Sequence, residues 1–177
     1  MPDQDLPIAG PARTLVLMRH AEAGGAARDH DRPLTPAGVR AAAAVGDWMR
    51  ATLPPVDLTI CSTSTRTRQT RDAVAVGGEV RYSDELYGGG VDDILDQIAT
   101  APDAARTLLV VGHAPTVPST AWELVTQAAP DGAREPGAGD DLRRFAPGSV
   151  AVLTTTAGWD RLGEFGAALR TVRHPTA

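Results

Sequence analysis

The fold of this chain is decided by residues 14–20, which read TLVLMRH. The run TLVLM is strongly apolar, as expected of a β-strand buried on both faces, and it stops abruptly at Arg19-His20. A second apolar run, TLLVV at 107–111, is likewise followed at once by Gly112-His113. In open α/β sheets the reactive crevice lies beyond the carboxyl ends of the strands. The two histidines are therefore expected at one shared edge of a sheet.

The rest of the chain alternates short strand-like runs with helix-like segments. Thr35 is a suitable N-cap and Pro36 suits the first helical position, so a helix is expected there. It should continue through 41–51, bury Val45 and Trp48, and end before the next prolines. Further elements are predicted as strands at 57–61, 80–82 and 149–155, helices near Thr65, at 91–99 and at 122–127, an exposed loop at 128–141, and a final strand or ribbon at 159–171. This alternation predicts an α/β fold with a mainly parallel sheet.

Composition excludes several kinds of chemistry. All 17 basic residues are arginine, which rules out a phosphate-loop lysine, a Schiff-base lysine and a lysine general base. Recognition of phosphate must therefore rest on arginine, whose planar fork suits oxyanions. The net charge of -5 argues against a general nucleic-acid binder. Cys61 is the only cysteine, so an intrachain disulfide and a CxxC site are excluded.

Length and patterning predict one domain over 13–177, preceded by a flexible N-terminus at 1–12. No apolar run approaches the roughly 20 residues that span a bilayer. The acidic, proline-rich start is unlike a secretory signal. A cytoplasmic protein without a membrane partner is the expectation, and a monomer is the default for so compact a chain.

The first candidate site is the triplet Arg19-His20-Ala21. Neutral imidazole is a good nucleophile near neutral pH, so His20 could attack phosphorus while Arg19 holds the phosphoryl oxygens. The small side chain of Ala21 would let a phosphate oxygen approach the backbone. The alternative is a salt-bridged arginine and a hydrogen-bonded histidine at a strand end. Glu22, the next residue, is interpreted as a partner for an arginine.

Two further motifs follow other strands. Residues 62–70 read STSTRTRQT and place Arg66 nearest a strand end. A cysteine phosphatase loop is the rival interpretation, but only four residues separate Cys61 from Arg66 where five are needed. Cys61 is better explained as a small buried residue. In the third motif His113 could donate a hydrogen bond to the transferred group, and Gly112 permits a close backbone approach.

Together these motifs resemble the histidine phosphatase superfamily, which includes phosphoglycerate mutases. The resemblance covers about 14–169 and rests on four motifs in order: Arg19-His20-Ala21, Leu34-Thr35-Pro36-Ala37-Gly38, the segment 62–70, and Gly112-His113. The patterns at 31–34, 85–88 and 147–150 are similar to those of the compact bacterial phosphohistidine phosphatase branch. The resemblance implies a phosphoglycerate mutase-like, three-layer α/β/α sandwich around a mainly parallel, mixed sheet. Two departures are Thr63, where the family has proline, and Ala114, where it often has asparagine.

The resemblance also implies a mechanism. His20 would form a phosphohistidine that water hydrolyses, with Arg19, Arg66, His113 and the Ala21 position around the phosphoryl group, and with no metal or cofactor. The expected substrate is phosphohistidine on a protein. The alternative is a small phosphoester, with Asp84 or Glu85 as general acid. A third hypothesis, from another class, is a non-catalytic phosphate-binding protein. His30 is interpreted as a surface histidine, with a place on the pocket rim as the alternative.

Overall fold

The computed structural model describes residues 11–129 and 138–175. These residues contain a six-stranded sheet in the order β3-β2-β4-β1-β5-β6. The strands are β1 (Arg13–Arg19), β2 (Leu58–Ser62), β3 (Glu79–Ser83), β4 (Thr107–Gly112), β5 (Val150–Thr155) and β6 (Ala168–Arg173). The predicted strands at 14–18, 57–61, 80–82, 107–111 and 149–155 all lie within one residue of these at each end.

The sheet is mainly parallel. The strands β3, β2, β4 and β1 run parallel to one another, whereas β5 is antiparallel to both β1 and β6. In the β1–β4 pair, Arg19 lies opposite Gly112. His20 and His113 therefore follow matched positions on adjacent strands, as the two apolar runs predicted.

Helices cover both faces of this sheet. They are α1 (Pro36–Thr52), α2 (Thr65–Val74), α3 (Glu85–Gly88), α4 (Val91–Ala99), α5 (Thr116–Ala128), α6 (Ala138–Arg143) and α7 (Leu162–Phe165). Side chains alternate along β1: Leu15 and Leu17 pack with α4, α5 and α7, whereas Val16 and Met18 pack with α1 and α2. The predicted three-layer α/β/α sandwich is confirmed. Among the described residues, no helix has both the length and the apolarity needed to cross a membrane.

Helix α1 begins where the sequence predicts. The Thr35 hydroxyl accepts a hydrogen bond from the Gly38 amide at 3.0 Å, which satisfies one free donor of the first turn. Gly46 is buried in the helix, and a Cβ atom there would overlap the Val74 carbonyl. Helices α1 and α2 therefore approach closely. Trp48, predicted to be buried, is only half-buried.

Two sequence predictions for the C-terminal third need correction. The exposed loop at 128–141 is wrong at its end, because α6 begins at Ala138, while 130–137 lie outside the described residues. The strand or ribbon at 159–171 is instead a 3₁₀ turn, Trp159–Arg161, followed by α7 and only then β6. Trp159 is buried, and its Nε1 donates to the Ala105 carbonyl at 2.8 Å, so this segment folds against the core. Residues 1–10 of the predicted N-terminus also lie outside the described ones.

Candidate active site

A cleft of about 550 Å³ opens at the carboxyl edge of the parallel strands. The structure brings Arg19, His20, Arg66 and His113 together in its lining. Ala21, the other predicted site residue, is fully buried and is not among the lining residues; its carbonyl accepts from His20 and its amide donates to Thr70. The remaining lining residues are Glu22, Ala23, Asp29, Arg32, Tyr87, Ala114 and Pro147.

His20 is held in one tautomer. Its Nδ1 lies 2.7 Å from the Ala21 carbonyl oxygen, which can only accept, so Nδ1 carries the hydrogen. The lone pair of a neutral imidazole is then on Nε2. Burial, aided by the positive charges of Arg66 and Arg19, lowers the pKa of His20 from 6.5 to about 4. At neutral pH the imidazole of His20 is therefore uncharged.

His113 packs beside His20, with ring centroids 5.3 Å apart. Its Nε2 lies 2.9 Å from the Ser62 hydroxyl, and its Nδ1 lies 3.4 Å from Nη2 of Arg66. A guanidinium only donates, so Nδ1 is the acceptor and Nε2–H donates to Ser62. Burial, together with the nearby charges of His20 and Arg66, lowers the pKa of His113 to about 3. His113 is thus neutral while the cleft holds no anion.

Arg19 and Arg66 are both fixed in place by hydrogen bonds. Arg66 stands in the first turn of α2, and both of its terminal nitrogens bond to Asp29: Nη1 to the carbonyl at 2.6 Å and Nη2 to the carboxylate at 2.9 Å. Arg19 Nη1 donates to the Phe145 carbonyl at 2.9 Å. The Nε atoms of Arg19 and Arg66 are buried and have no partner among the described residues. Hydrogen bonds to backbone carbonyls therefore hold both guanidinium groups at the cleft.

The backbone around His20 is tied to two distant segments. The Gly148 amide donates to the carbonyls of Arg19 at 3.2 Å and His20 at 2.9 Å. The Ala21 amide donates to Thr70 Oγ1 at 3.0 Å, and that hydroxyl donates to the Arg66 carbonyl at 2.7 Å. Thr70 therefore couples the strand that carries His20 to the helix that carries Arg66.

Asp29, Arg32 and Tyr87 also line the cleft. Arg32 and Tyr87 lie in the patterns at 31–34 and 85–88, to which the sequence analysis gave no role in the site, and Asp29 lies outside every motif. The Asp29 carboxylate accepts from Arg66, from Tyr87 at 2.9 Å and from Arg32 at 3.2 Å. Hydrogen bonds from Tyr87, Arg32 and Arg66 lower the pKa of Asp29 to about 2. His30 is not in the lining, but its ring packs edge-on against Tyr87 at 4.9 Å. The charged composition of 28–32 was the available signal.

The two carboxyl groups proposed as general acids do not line the cleft. Asp84 is exposed and accepts from the Thr63 hydroxyl at 2.5 Å. Glu85 is also exposed, and a hydrogen bond from the Ser83 hydroxyl lowers its pKa. Glu22 does line the cleft, but it accepts from the Thr35 hydroxyl at 2.6 Å instead of pairing with an arginine among the described residues.

Cys61 is fully buried in β2, as expected of a small packing residue. Burial raises the pKa of its thiol to about 12, so the thiolate required of a cysteine nucleophile does not form near neutral pH. The cysteine phosphatase interpretation is excluded on this ground as well as by spacing.

Comparison with known proteins defines the class. The family model for the histidine phosphatase superfamily (branch 1) matches residues 15–87, which include β1, α1, β2 and α2. An uncharacterized protein of Mycobacterium tuberculosis is 38% identical over 144 residues, which are 80% of this chain and 89% of that protein. The chain belongs to the histidine phosphatase superfamily.

Solved structures place it more closely. A candidate phosphohistidine phosphatase SixA from Nakamurella multipartitia is 59% identical, with a TM-score of 0.91 over 96% of this chain and 99% of that chain. A second candidate SixA, from Agrobacterium tumefaciens, is 28% identical, with a TM-score of 0.74 over 92% and 99% of the respective chains. Family and structural neighbours together support a phosphatase hydrolase.

Proposed function

We propose that the protein removes the phosphoryl group from phosphohistidine on a protein, by way of a phosphohistidine on its own His20. The observation that carries this proposal is the fixed tautomer of His20. Its Nδ1 is committed to the Ala21 carbonyl at 2.7 Å, which leaves the lone pair on Nε2, and Arg19 and Arg66 line the same cleft as His20. The similarity to SixA proteins, which are named for phosphohistidine phosphatase activity, supports the same substrate class.

The proposed reaction has two in-line displacements. Nε2 of His20 attacks phosphorus and the leaving group departs on the opposite side; water then attacks the phosphorus of the phosphoenzyme and returns His20. Charge on the equatorial oxygens is stabilised by Arg19 and Arg66, and such positioning dominates phosphoryl transfer. A bound dianion raises the pKa of His113, because an opposite charge favours the protonated ring. Protonated at both nitrogens, His113 becomes a further donor. The proposal invokes no metal and no cofactor.

The choice of leaving group follows from the carboxyl groups around the cleft. An ester needs a proton for its departing alkoxide, whereas imidazole departs with less help. Asp29 is held ionised by three donors, and Asp84 and Glu85 lie outside the cleft lining. Glu22 is engaged as the acceptor of the Thr35 hydroxyl. This arrangement favours phosphohistidine over the alternative, a small phosphoester with Asp84 or Glu85 as acid.

The test is to trap the intermediate. Rapid acid-free quenching with a ³²P-labelled phosphohistidine protein should give label on this chain that is acid-labile and base-stable. The label should disappear in His20→Asn and persist in His174→Asn, whose histidine lies outside the cleft lining. Label on the wild type that survives in His20→Asn would refute the proposed nucleophile. A protein that binds phosphate but never becomes labelled would support the non-catalytic hypothesis.

The ester alternative is tested with the double variant Asp84→Asn/Glu85→Gln. If these groups are not acids, the hydrolysis rates of p-nitrophenyl phosphate, of a phosphoserine peptide and of phosphohistidine should all stay within about twofold of wild type. Selective loss of the phosphoserine reaction would instead establish the ester chemistry.

A further inference from the structure

Asp29 and Tyr87 form a corner of the cleft that the proposed mechanism has not used. We propose that this corner is the subsite for the leaving group, and that it receives the imidazole ring of the substrate's phosphohistidine. The inference rests on the proposed function and adds the part of the site that selects the substrate class.

The corner is preformed. The Tyr87 hydroxyl donates to Asp29 Oδ2 at 2.9 Å, and the Tyr87 ring meets the His113 ring edge-on at 5.6 Å. The guanidinium of Arg66 lies 5.9 Å from the centre of the same ring. The His30 ring also packs edge-on against Tyr87, at 4.9 Å, so the Tyr87 side chain has four neighbours, while the residue as a whole is 36% exposed. It thus offers a fixed aromatic surface to an incoming ligand.

The corner belongs to the exposed part of the cleft. In-line displacement requires the leaving group to depart on the side of phosphorus opposite Nε2 of His20. His20 is partly buried at the end of β1, whereas the Asp29 side chain is 55% exposed. The exposed rim is the side from which a histidine on another protein can enter. The proposed binding mode places phosphorus next to His20 and the leaving group at the exposed rim that carries Asp29 and Tyr87.

The chemistry of the corner matches a ring that carries positive charge. A carboxylate has about four acceptor positions, and Asp29 uses three, for Arg66, Tyr87 and Arg32. The fourth can accept the N–H of a phosphorylated imidazole, at the ring nitrogen that bears no phosphorus. Aromatic faces attract cationic rings as well, so Tyr87 favours the same charge state.

The step balances without an outside proton. Nε2 of His20 supplies the electron pair for the new P–N bond, and the electron pair of the broken P–N bond stays on the departing nitrogen. The substrate ring keeps its N–H and becomes neutral, while His20, with its hydrogen on Nδ1, takes over the positive charge. An ester oxygen in the same place would face an ionised carboxylate that has no proton to give and that opposes its developing negative charge.

The experiment compares two substrates in matched variants. The kcat/KM for phosphoimidazole and for p-nitrophenyl phosphate is measured in Asp29→Asn, Tyr87→Leu and Tyr87→Phe. In Asp29→Asn and Tyr87→Leu, kcat/KM for phosphoimidazole should fall at least about tenfold more than kcat/KM for the aryl ester, because any disturbance of Arg66 lowers both values. The difference in Tyr87→Phe should be smaller. The control is Asp31→Asn, because Asp31 shares the 3₁₀ turn with Asp29 but bonds Arg28 at 2.9 Å and does not line the cleft.

Product inhibition gives a second readout that does not depend on turnover. Free imidazole should inhibit the wild type more strongly than Asp29→Asn. If Asp29→Asn lowers kcat/KM equally for both substrates, the proposal is overturned, since Asp29 would then act only by orienting Arg66. An unchanged ratio of the two kcat/KM values in all three variants would overturn it as well. A wild type that carries no label on His20 would instead refute the proposed function itself, so the two failures are distinguishable.

Discussion

The charge state of His20 is the property on which the proposed chemistry depends, and it can be measured directly. The structure lowers the pKa of His20 from 6.5 to about 4 by burial and by the nearby charges of Arg66 and Arg19. A histidine of pKa 6.5 would be about 3% neutral at pH 5, whereas one of pKa 4 is about 90% neutral. The nucleophile should therefore be roughly thirty times more abundant at pH 5 than an exposed histidine would allow.

The assay is ¹H–¹³C NMR of histidine-labelled protein between pH 3.5 and 8. The chain has four histidines, and the variants His20→Asn and His113→Asn assign the two signals of the cleft. The His20 signal should stay at its neutral position down to about pH 5. A midpoint near 6.5 would refute the argument that burial and guanidinium charge keep this ring neutral.

The same samples test the role of the cleft as an anion site. Inorganic phosphate should move the titration of His113 upward from about 3, because a nearby anion favours the protonated ring. Phosphate should raise the pKa of His113, whereas the charge of Arg66 lowers it, so the direction of the change distinguishes the two influences. A His113 titration that phosphate leaves unchanged would show that no anion binds beside that ring.

Three further predictions concern Arg66, Thr70 and Gly46. In steady-state assays, Arg66→Ala should lower kcat/KM on the order of 10³-fold. Arg66→Lys should recover little of this activity, because lysine lacks the planar fork of arginine. Arg71→Ala is the matched control, since the Arg71 side chain pairs with Asp72. Thr70→Val should lower the free energy of unfolding by about 1–3 kcal/mol in urea titrations, because the buried Ala21 amide loses its acceptor, and a fully stable variant would contradict the coupling. Gly46→Ala should lower the free energy of unfolding by about 1–3 kcal/mol, because the added Cβ overlaps the Val74 carbonyl. Gly77→Ala, where the added Cβ meets open space, should leave the melting temperature nearly unchanged.

The strands and the four motif residues could be predicted because their signals are local. Each apolar run that ends in a polar pair marks a buried strand and the edge at which it stops, and parallel pairing then aligns the two ends. His20 and His113 needed no more than this. The cap at Thr35 was equally local, since an N-cap and a proline at the next position define a helix start by themselves.

Asp29 could not be found in this way. Its partners Arg66 and Tyr87 lie far along the chain, and they meet it only because a loop closes over the sheet edge. A charged loop without periodicity predicts solvent exposure. About half of the Asp29 side chain is indeed exposed, but the pattern does not predict its hydrogen bonds with Arg66 and Tyr87. The helices α3 and α7, of four residues each, were not predicted for a related reason. One helical turn is too short to show a hydrophobic period.

The central place of β1 in the sheet has a consequence for synthesis of the chain. This strand is made first, yet its partners are β4, where Thr14 pairs with Thr107, and β5, where Met18 pairs with Val150. A growing chain therefore contains His20 long before either neighbouring strand has been synthesised. Gly148, whose amide donates to the His20 carbonyl, is synthesised later still than β4. Pairings this distant in sequence form slowly. The contacts that hold the backbone of His20 can therefore form only after the chain has been synthesised through β5.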